Sequence, residues 1–216
     1  MEFSDITAFL PILLKGALIT VQITIGALLL STLLGLLLAL MKLSPVRALS
    51  LTAGTFINVV RGLPIIVQLF YIYFVLPELG IQLSAFQASI IGLGVAYSAY
   101  QAENFRAGIE AIEAGQIEAA RSIGMKSKLI MRRVVLPQAI RIALPPYGNT
   151  AVMILKDSSL ASTITVAEMT RAGQLIAAST FQNTTVYTLV ALLYLCLSLP
   201  LIFGVNRLER YFGKSA

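Results

Sequence analysis

Residues Gly115 to Pro137 read GQIEAARSIGMKSKLIMRRVVLP, a charged and helix-forming stretch within a chain that is otherwise apolar. Of the 216 residues, 57% are hydrophobic and only 12% are charged, and the mean hydropathy is +0.85. Such a chain is too apolar for an ordinary soluble domain. The charged stretch is therefore predicted to be a structured loop on one side of a membrane, where it offers a docking surface to another protein.

The composition excludes several classes of function. The formal charge of +6 could suggest a nucleic-acid partner, but the basic residues fall in short loops beside apolar runs, as the positive-inside rule expects. The chain contains no GxxxxGK[ST] phosphate loop and no His, which argues against a nucleotide site, a His-ligated metal and His-based catalysis. We therefore expect no enzyme activity, metal or cofactor in this chain itself, and no nucleic-acid partner.

Long apolar runs predict five membrane-spanning helices. The first run is uncharged and as a helix would extend roughly 39 Å, more than the ~30 Å hydrocarbon core. The second is interrupted by Arg61, with Gly62 and Pro64 as candidate kink makers. The predicted fold class is an all-α membrane protein of one domain over residues 1–216, with spans at about 16–41, 51–76, 88–107, 142–160 and 185–205 and a cytoplasmic loop at 110–137.

The basic residues orient these spans. Seven of them lie from Arg106 to Arg141, and three follow span five, namely Arg207, Arg210 and Lys214, whereas the loop 77–87 has none. The positive-inside rule then places the N-terminus outside and the C-terminus in the cytoplasm. On the outer side, the sequence AEMTRAGQLIAA at 167–178 predicts a short helix between spans four and five.

The charged loop is predicted to fold as two short helices that meet at Gly124. Residues 116–123 are good helix formers, and Gly124 suits a left-handed helix end. Ser127 is placed to cap a second helix, which Pro137 would stop. A solvated basic loop that only enforces topology is the alternative from length and charge alone.

The order of residues in this loop resembles the EAA signature of permease subunits of ABC importers, EAAxxxG followed nine residues later by IxLP. Glu118 begins the first part, Gly124 ends it, and Val134 stands where isoleucine is usual. Outside the loop, TVQIT near Thr20, VRGLPIIVQLF, YQAENFRAGIEAI, LPQAIRIALPP and LKDSSL all look like the subfamily for polar amino acids.

The resemblance implies a type I ABC importer permease of the bacterial cytoplasmic membrane. In that family the EAA helix docks on a cytoplasmic ATPase, which binds the ATP, and an external solute-binding protein delivers the amino acid. Five spans are too few to enclose a cavity comfortably, so we expect a dimer with an identical chain or a paralogue and two ATPase subunits. The residues that the resemblance assigns to ATPase coupling are Gly115, Glu118, Ala119, Ala120, Gly124, Leu136 and Pro137.

Polar side chains within the spans are the candidates for the substrate path, because a charge at the bilayer centre costs about 3 kcal/mol and is usually covered by protein or water. An amino acid zwitterion needs a cationic and an anionic partner. The candidate residues are Arg61, Gln68, Tyr100, Glu103, Asn104, Lys156 and Asp157. Arg61 and Gln68 are seven residues apart and are predicted to share a helical face. The acidic candidates favour a basic substrate weakly over other polar amino acids.

Each charged candidate also has a structural alternative. Arg61 could cap a broken helix, Glu103 could pair locally with Arg106, and the Lys156–Asp157 pair could be interfacial. For the whole chain, the alternative function is a self-contained secondary transporter or channel, although the inverted repeats typical of that class are not visible.

The orientation is testable with reporters. A reporter fused after Gly213 is expected to be cytoplasmic, and one inserted near Leu83 is expected outside, because the basic residues partition that way. The measurement is the activity of reporters that work on one side of the membrane only. Labelling of a cysteine at position 127 by a reagent confined to the outside would contradict the assignment.

Overall fold

The computed structural model describes residues 3–213, and every regular element in that range is helical, as the sequence predicted. Lys214, one of the basic residues used for the orientation, lies outside the described residues. The helices are α1 (Phe3–Lys42), α2 (Arg47–Gly62), α3 (Ile65–Phe70), α4 (Ala85–Glu110), α5 (Ala114–Ser122), α6 (Ser127–Ile130), α7 (Leu136–Asp157), α8 (Met169–Thr180) and α9 (Asn183–Gly213).

Two helices are long and apolar enough to cross a membrane unaided, Ile6–Lys42 within α1 and Asn183–Phe212 within α9. A third candidate is the pair formed by α2 and by α3 with its continuation to Leu79, which is bent by 103°. The bend lies before Pro64, whose ring forces the preceding residue into an extended conformation. Arg61 and Gln68 therefore belong to different helices, and the prediction that they share one helical face is wrong.

Helix α4 lies at the centre of the bundle, where it packs against α1, α2, α3 and α7. Several of its polar side chains are completely buried, including Ser89, Ser98 and Gln101. The neighbouring helices cover these groups, so α4 can lie within the bundle although its sequence is less apolar than those of α1 and α9.

Small residues bring α1 and its neighbours unusually close. A Cβ atom added at Gly35 would lie 2.7 Å from the Cβ of Gln101, and one at Gly94 would lie 2.6 Å from a methyl carbon of Leu30. Nearer the N-terminal end of α1, a Cβ at Gly16 would lie 2.8 Å from the Cα of Met169. Close backbone approach of this kind is a main source of packing energy between helices in membranes.

The sequence predicted that the helix beginning at Ser127 would stop at Pro137. This prediction is wrong, because the helix runs on to Asp157. A wider π turn at Met131–Val135 precedes the proline. The ring of a helical proline normally collides with the carbonyl four residues earlier, here that of Arg133, and that carbonyl lies in the widened turn. Nor does Ser127 cap this helix, because it is already the first helical residue.

The same arrangement of a π turn before a proline occurs after α3. A π turn at Tyr71–Val75 continues α3, and Pro77 follows it at the same spacing. A 3-10 turn at Leu76–Leu79 then ends at Gly80, whose φ of 84° is left-handed. In both places the helix is widened rather than terminated ahead of a proline.

The connection from α7 to α8 is anchored by the buried carboxylate of Glu168. Its oxygens accept hydrogen bonds from the backbone N–H groups of Thr170 and Arg171 at 2.8 and 2.7 Å, which caps α8. The hydroxyl of Tyr194 on α9 also donates to it at 3.0 Å, and that of Thr20 on α1 at 3.4 Å. The short helix predicted at 167–178 is thus present as α8, and it is fixed to both α1 and α9.

Substitution of Gly16 tests the close contact between α1 and α8. Gly16→Ala is expected to lower the free energy of unfolding by about 1–3 kcal/mol, because its methyl group meets the backbone of Met169, which cannot move independently. The matched control is Gly204→Ala on α9, where no described atom lies within 4 Å of the new Cβ. Unfolding midpoints in detergent provide the measurement, and equal midpoints for the two variants would contradict the contact.

Candidate functional site

A chain of polar and aromatic contacts links α2, α4 and α7 within the bundle. The hydroxyl of Tyr97, which is only 1% exposed, donates to a carboxylate oxygen of Asp157 at 2.6 Å. The ring of Tyr100 lies 5.8 Å from that of Tyr97, and the guanidinium carbon of Arg61 lies 5.4 Å from the centre of the Tyr100 ring. This is the geometry of a cation–π contact. We name Arg61, Tyr97, Tyr100 and Asp157 the polar cluster.

The polar cluster carries charges of both signs that the chain does not neutralise. Asp157 is half-buried, whereas Arg61 and the neighbouring Lys156 are exposed. The ion pairs among the described residues use neither of these two cations. Chemically, a guanidinium or ammonium group can bind a carboxylate, and an oriented carboxylate can bind an ammonium group. The arrangement therefore suits a small zwitterion.

Gln68 lies beside the break between α2 and α3. Its side-chain amide donates to the carbonyl oxygens of Val60 at 2.9 Å and Leu63 at 3.0 Å. These carbonyls stand at the end of α2, where helix carbonyls lack a partner within the helix. Gln68 thus satisfies carbonyls at the end of α2 and holds the bend in place, and its described hydrogen bonds go to none of the residues of the polar cluster.

Glu103 belongs to a separate ionic network near the C-terminal end of α4. Its carboxylate accepts from the Lys42 ammonium at 2.6 Å and from Arg106 at 2.7 Å, and Arg106 also pairs with Glu110. The local pair with Arg106 was the structural alternative for Glu103, and the geometry favours it. The role of Lys42 was missed by sequence reasoning. A signal was available, because Lys42 ends the first apolar run on the side where Glu103 lies.

Asn104 takes part in a third group, which joins α4 to α7. Its side-chain amide donates to the Gln101 carbonyl oxygen at 3.1 Å and to the Thr150 hydroxyl at 3.2 Å. The amide nitrogen of the buried Gln101 has no hydrogen-bond partner among the described residues. Of the predicted substrate residues, Arg61, Tyr100 and Asp157 therefore belong to the polar cluster, whereas the described contacts of Glu103 and Asn104 are with other residues.

One cavity in the bundle is lined by none of the residues of the polar cluster. It measures about 390 Å³, lies between α1, α4 and α7, and is walled by apolar side chains that include Leu136. Its polar groups are the hydroxyls of Thr32 and Tyr147, which bond to each other at 3.0 Å. Such walls suit a hydrocarbon rather than a zwitterion. Among the described residues, no group of three or more carboxylates or thiols is placed to hold a metal ion.

The charged loop forms a rigid elbow between α5 and α6. Gly124 has a φ of 79°, and its N–H donates to the Arg121 carbonyl at 2.9 Å. The next N–H, that of Met125, reaches back to Ala120 at 3.1 Å. These two bonds define a Schellman end, for which glycine is strongly preferred. The prediction of a left-handed helix end at Gly124 is confirmed.

The elbow is held by its own small core. Ala120 is buried together with Ile112, Ile130 and Val135, and the side-chain amide of Gln138 on α7 donates to that of Gln116 on α5 at 2.7 Å. The predicted coupling residues that remain exposed on this elbow are Gly115, Glu118, Ala119, Gly124, Leu136 and Pro137.

Ile123 is a further exposed residue of the elbow that sequence reasoning missed. It immediately precedes Gly124 and is 79% exposed, although it is large and apolar. The available signal was its position, since an isoleucine interrupts an otherwise polar turn. Its side chain is therefore accessible to a partner that contacts the elbow.

Comparison with known proteins agrees with these features. Residues 31–215 match the family described as the binding-protein-dependent transport system inner membrane component. The chain is 37% identical to the L-cystine transport system permease protein TcyB of Bacillus subtilis, over 96% of this chain and 91% of that protein. It is 36% identical to the glutamine transport system permease protein GlnP of Escherichia coli, over 97% and 96% of the two chains.

Solved structures resemble the whole chain. One is an amino acid ABC transporter crystallised with histidines, with a TM-score of 0.92 and 37% identity over 98% of this chain and 99% of that chain. The methionine ABC transporter MetNI in an inward-facing conformation shares the fold, with a TM-score of 0.77 and 22% identity over the same shares. The chain therefore belongs to the inner membrane components of binding-protein-dependent transport systems, as an ABC transporter permease related to those for amino acids.

Proposed function

We propose that this chain is the transmembrane subunit of an ATP-driven importer of polar amino acids in a bacterial cytoplasmic membrane. Five passes are formed by α1, by α2 with α3, and by α4, α7 and α9. The N-terminus lies outside and the C-terminus lies in the cytoplasm, in accord with the basic residues of the elbow and of the end of α9. Helices α4 and α7 cross the membrane in spite of their polar residues because neighbouring helices cover them.

The observation that carries the proposal is the polar cluster with its uncompensated charges. Arg61 or Lys156 binds the substrate carboxylate, and Asp157, oriented by Tyr97, binds an ammonium group. The related permeases named for cystine and glutamine and the transporter crystallised with histidines support an amino acid substrate. A basic or other polar amino acid fits the cluster best.

A second permease chain, identical or paralogous, completes the path. In the single chain, Arg61 and Lys156 are exposed, and so are large side chains of the bent pair, among them Phe70, Tyr71 and Phe74. A charged site open to lipid would be unfavourable. A partner permease that covers α3 would enclose the site and bury these aromatic rings.

The elbow couples the path to two cytoplasmic ATPase subunits, which bind the ATP, so that this chain is itself non-catalytic and holds no cofactor. Its Schellman end fixes the angle between α5 and α6, and Glu118, Ala119 and Ile123 face outward for docking. An external solute-binding protein delivers the amino acid. Gln68, Glu103 and Asn104 hold the helices around the site through the contacts described above.

Replacement of Gly124 by proline tests coupling. Gly124→Pro is expected to abolish uptake and co-purification of the ATPase with membrane insertion retained, because proline cannot adopt a φ of 79° or donate to Arg121. Gly80→Pro is the matched control, since Gly80 has a similar φ of 84° but lies on the outer side. It is expected to keep the ATPase bound. Normal transport and ATPase binding by Gly124→Pro would mean that the elbow does not couple.

Comparison of two carboxylates tests the substrate site. Asp157→Asn is expected to weaken binding of an amino acid with a cationic side chain roughly tenfold more than binding of a neutral one, because the change removes mainly charge. Glu103→Gln is expected to affect both substrates equally, since Lys42 and Arg106 occupy that carboxylate. Uptake of both substrates by the assembled complex, measured for each variant, decides whether Asp157 or Glu103 is the anionic site. A selective loss for Glu103→Gln alone would move the anionic site to Glu103.

A further inference from the structure

Phe181 ends α8 in a conformation that an aromatic residue rarely adopts. Its φ is 59°, and its N–H donates to the Ala177 carbonyl at 2.9 Å, which closes the helix in the left-handed manner. Glycine is the usual residue at this position, because a side chain there crowds the backbone. A phenylalanine at this place therefore destabilises the helix end relative to glycine.

No packing within the described chain compensates for this strain. The Phe181 side chain is 86% exposed, more than any other large apolar side chain described, and it makes no ring contact with another described aromatic residue. Its neighbours in sequence, Thr180 and Gln182, are polar. The ring is thus presented away from the chain at the tip of a tight connection.

The position of this tip limits what it can contact. This step rests on the proposed function, in which the connection between α8 and α9 lies outside the cell membrane. That connection is only Phe181–Gln182, and the outer connection before α4 is also short, at residues 80–84. The family is described as dependent on a binding protein, and that protein must dock on the outer surface of the permease. The short outer connections are part of that surface.

We propose that Phe181 is an anchor through which the external solute-binding protein docks on this permease. Aromatic side chains that fill a pocket of the partner dominate the binding energy of many protein interfaces. The backbone of this anchor is already fixed by the hydrogen bond to Ala177 before the partner arrives, so docking loses little backbone freedom. The partner is expected to present an apolar pocket there.

A membrane-interface role is the competing assignment, and the chemistry disfavours it. Aromatic residues at the lipid boundary are mainly Trp and Tyr, whose polar tips face water while the ring lies in the headgroups. Phe181 has no polar tip. In addition, the apolar part of α9 begins only at Val186, after a stretch of polar residues that includes Asn183 and Thr184. The ring therefore lies beyond the hydrocarbon region.

The test uses the complete transporter in nanodiscs, with the solute-binding protein encoded beside this chain titrated in its amino-acid-loaded form. Phe181→Gly is expected to raise the binding-protein concentration for half-maximal ATP hydrolysis at least about tenfold, as for loss of an interface anchor. The same variant is expected to unfold at an equal or higher temperature, because glycine relieves the strain. Phe181→Trp is expected to restore much of the docking.

The matched control is Phe203→Ala, which removes another exposed phenylalanine, 65% exposed, from the membrane part of α9. It is expected to leave the binding-protein dependence unchanged. If the half-maximal binding-protein concentration is unchanged for Phe181→Gly, the docking role is overturned. If, in addition, the variant unfolds at a lower temperature, the ring is assigned to the lipid boundary. Absence of stimulation in the unaltered transporter would overturn the proposed function together with this inference.

Discussion

Helix α4 carries polar side chains that are completely buried, and their cover by protein depends on how the other helices are arranged around it. A buried amide such as that of Gln101 is tolerated only where protein surrounds it. Gly35 allows α1 to approach until it touches Gln101, and Asn104 reaches across to Thr150 on α7. Close packing by small residues and hydrogen bonds between helices therefore both serve to cover the polar side chains of α4.

The charged residues of the bundle fall into two groups with different consequences. Around Glu103, cations and anions are matched within the chain, so the network has nothing to offer a ligand and serves to hold α1 against α4. Around Asp157, the carboxylate is oriented by one neutral hydroxyl, and the nearby cations lack an anionic partner among the described residues. Only the second group has a reason to bind a charged solute, although both look alike in the sequence.

Much of the fold could be predicted from the sequence, because long apolar runs and a left-handed glycine leave few alternatives. The bend before Pro64 and the Schellman end at Gly124 follow from local chemistry. The division of the polar residues could not be predicted, since Lys42 and Glu103 are distant in sequence and meet only in the bundle. The passage of the helix through Pro137 was also missed, because the π turn that accommodates it has no simple sequence signature.

The continuous helix from Ser127 to Asp157 has a mechanical consequence. Because α6, the π turn and α7 form one rod about 45 Å long, its lower end carries the elbow and its upper end carries the carboxylate of the polar cluster. Between the two ends the chain stays helical, with Pro145 and Pro146 inside α7 as the places where a backbone hydrogen bond is missing. A π turn has more residues per turn than an α-helix, so each residue of it turns the chain through a smaller angle. The π turn thereby sets the angle, about the helix axis, between the side that faces the elbow at one end and the side that carries Asp157 at the other. Loss of a single residue there would leave both ends folded but turned away from each other.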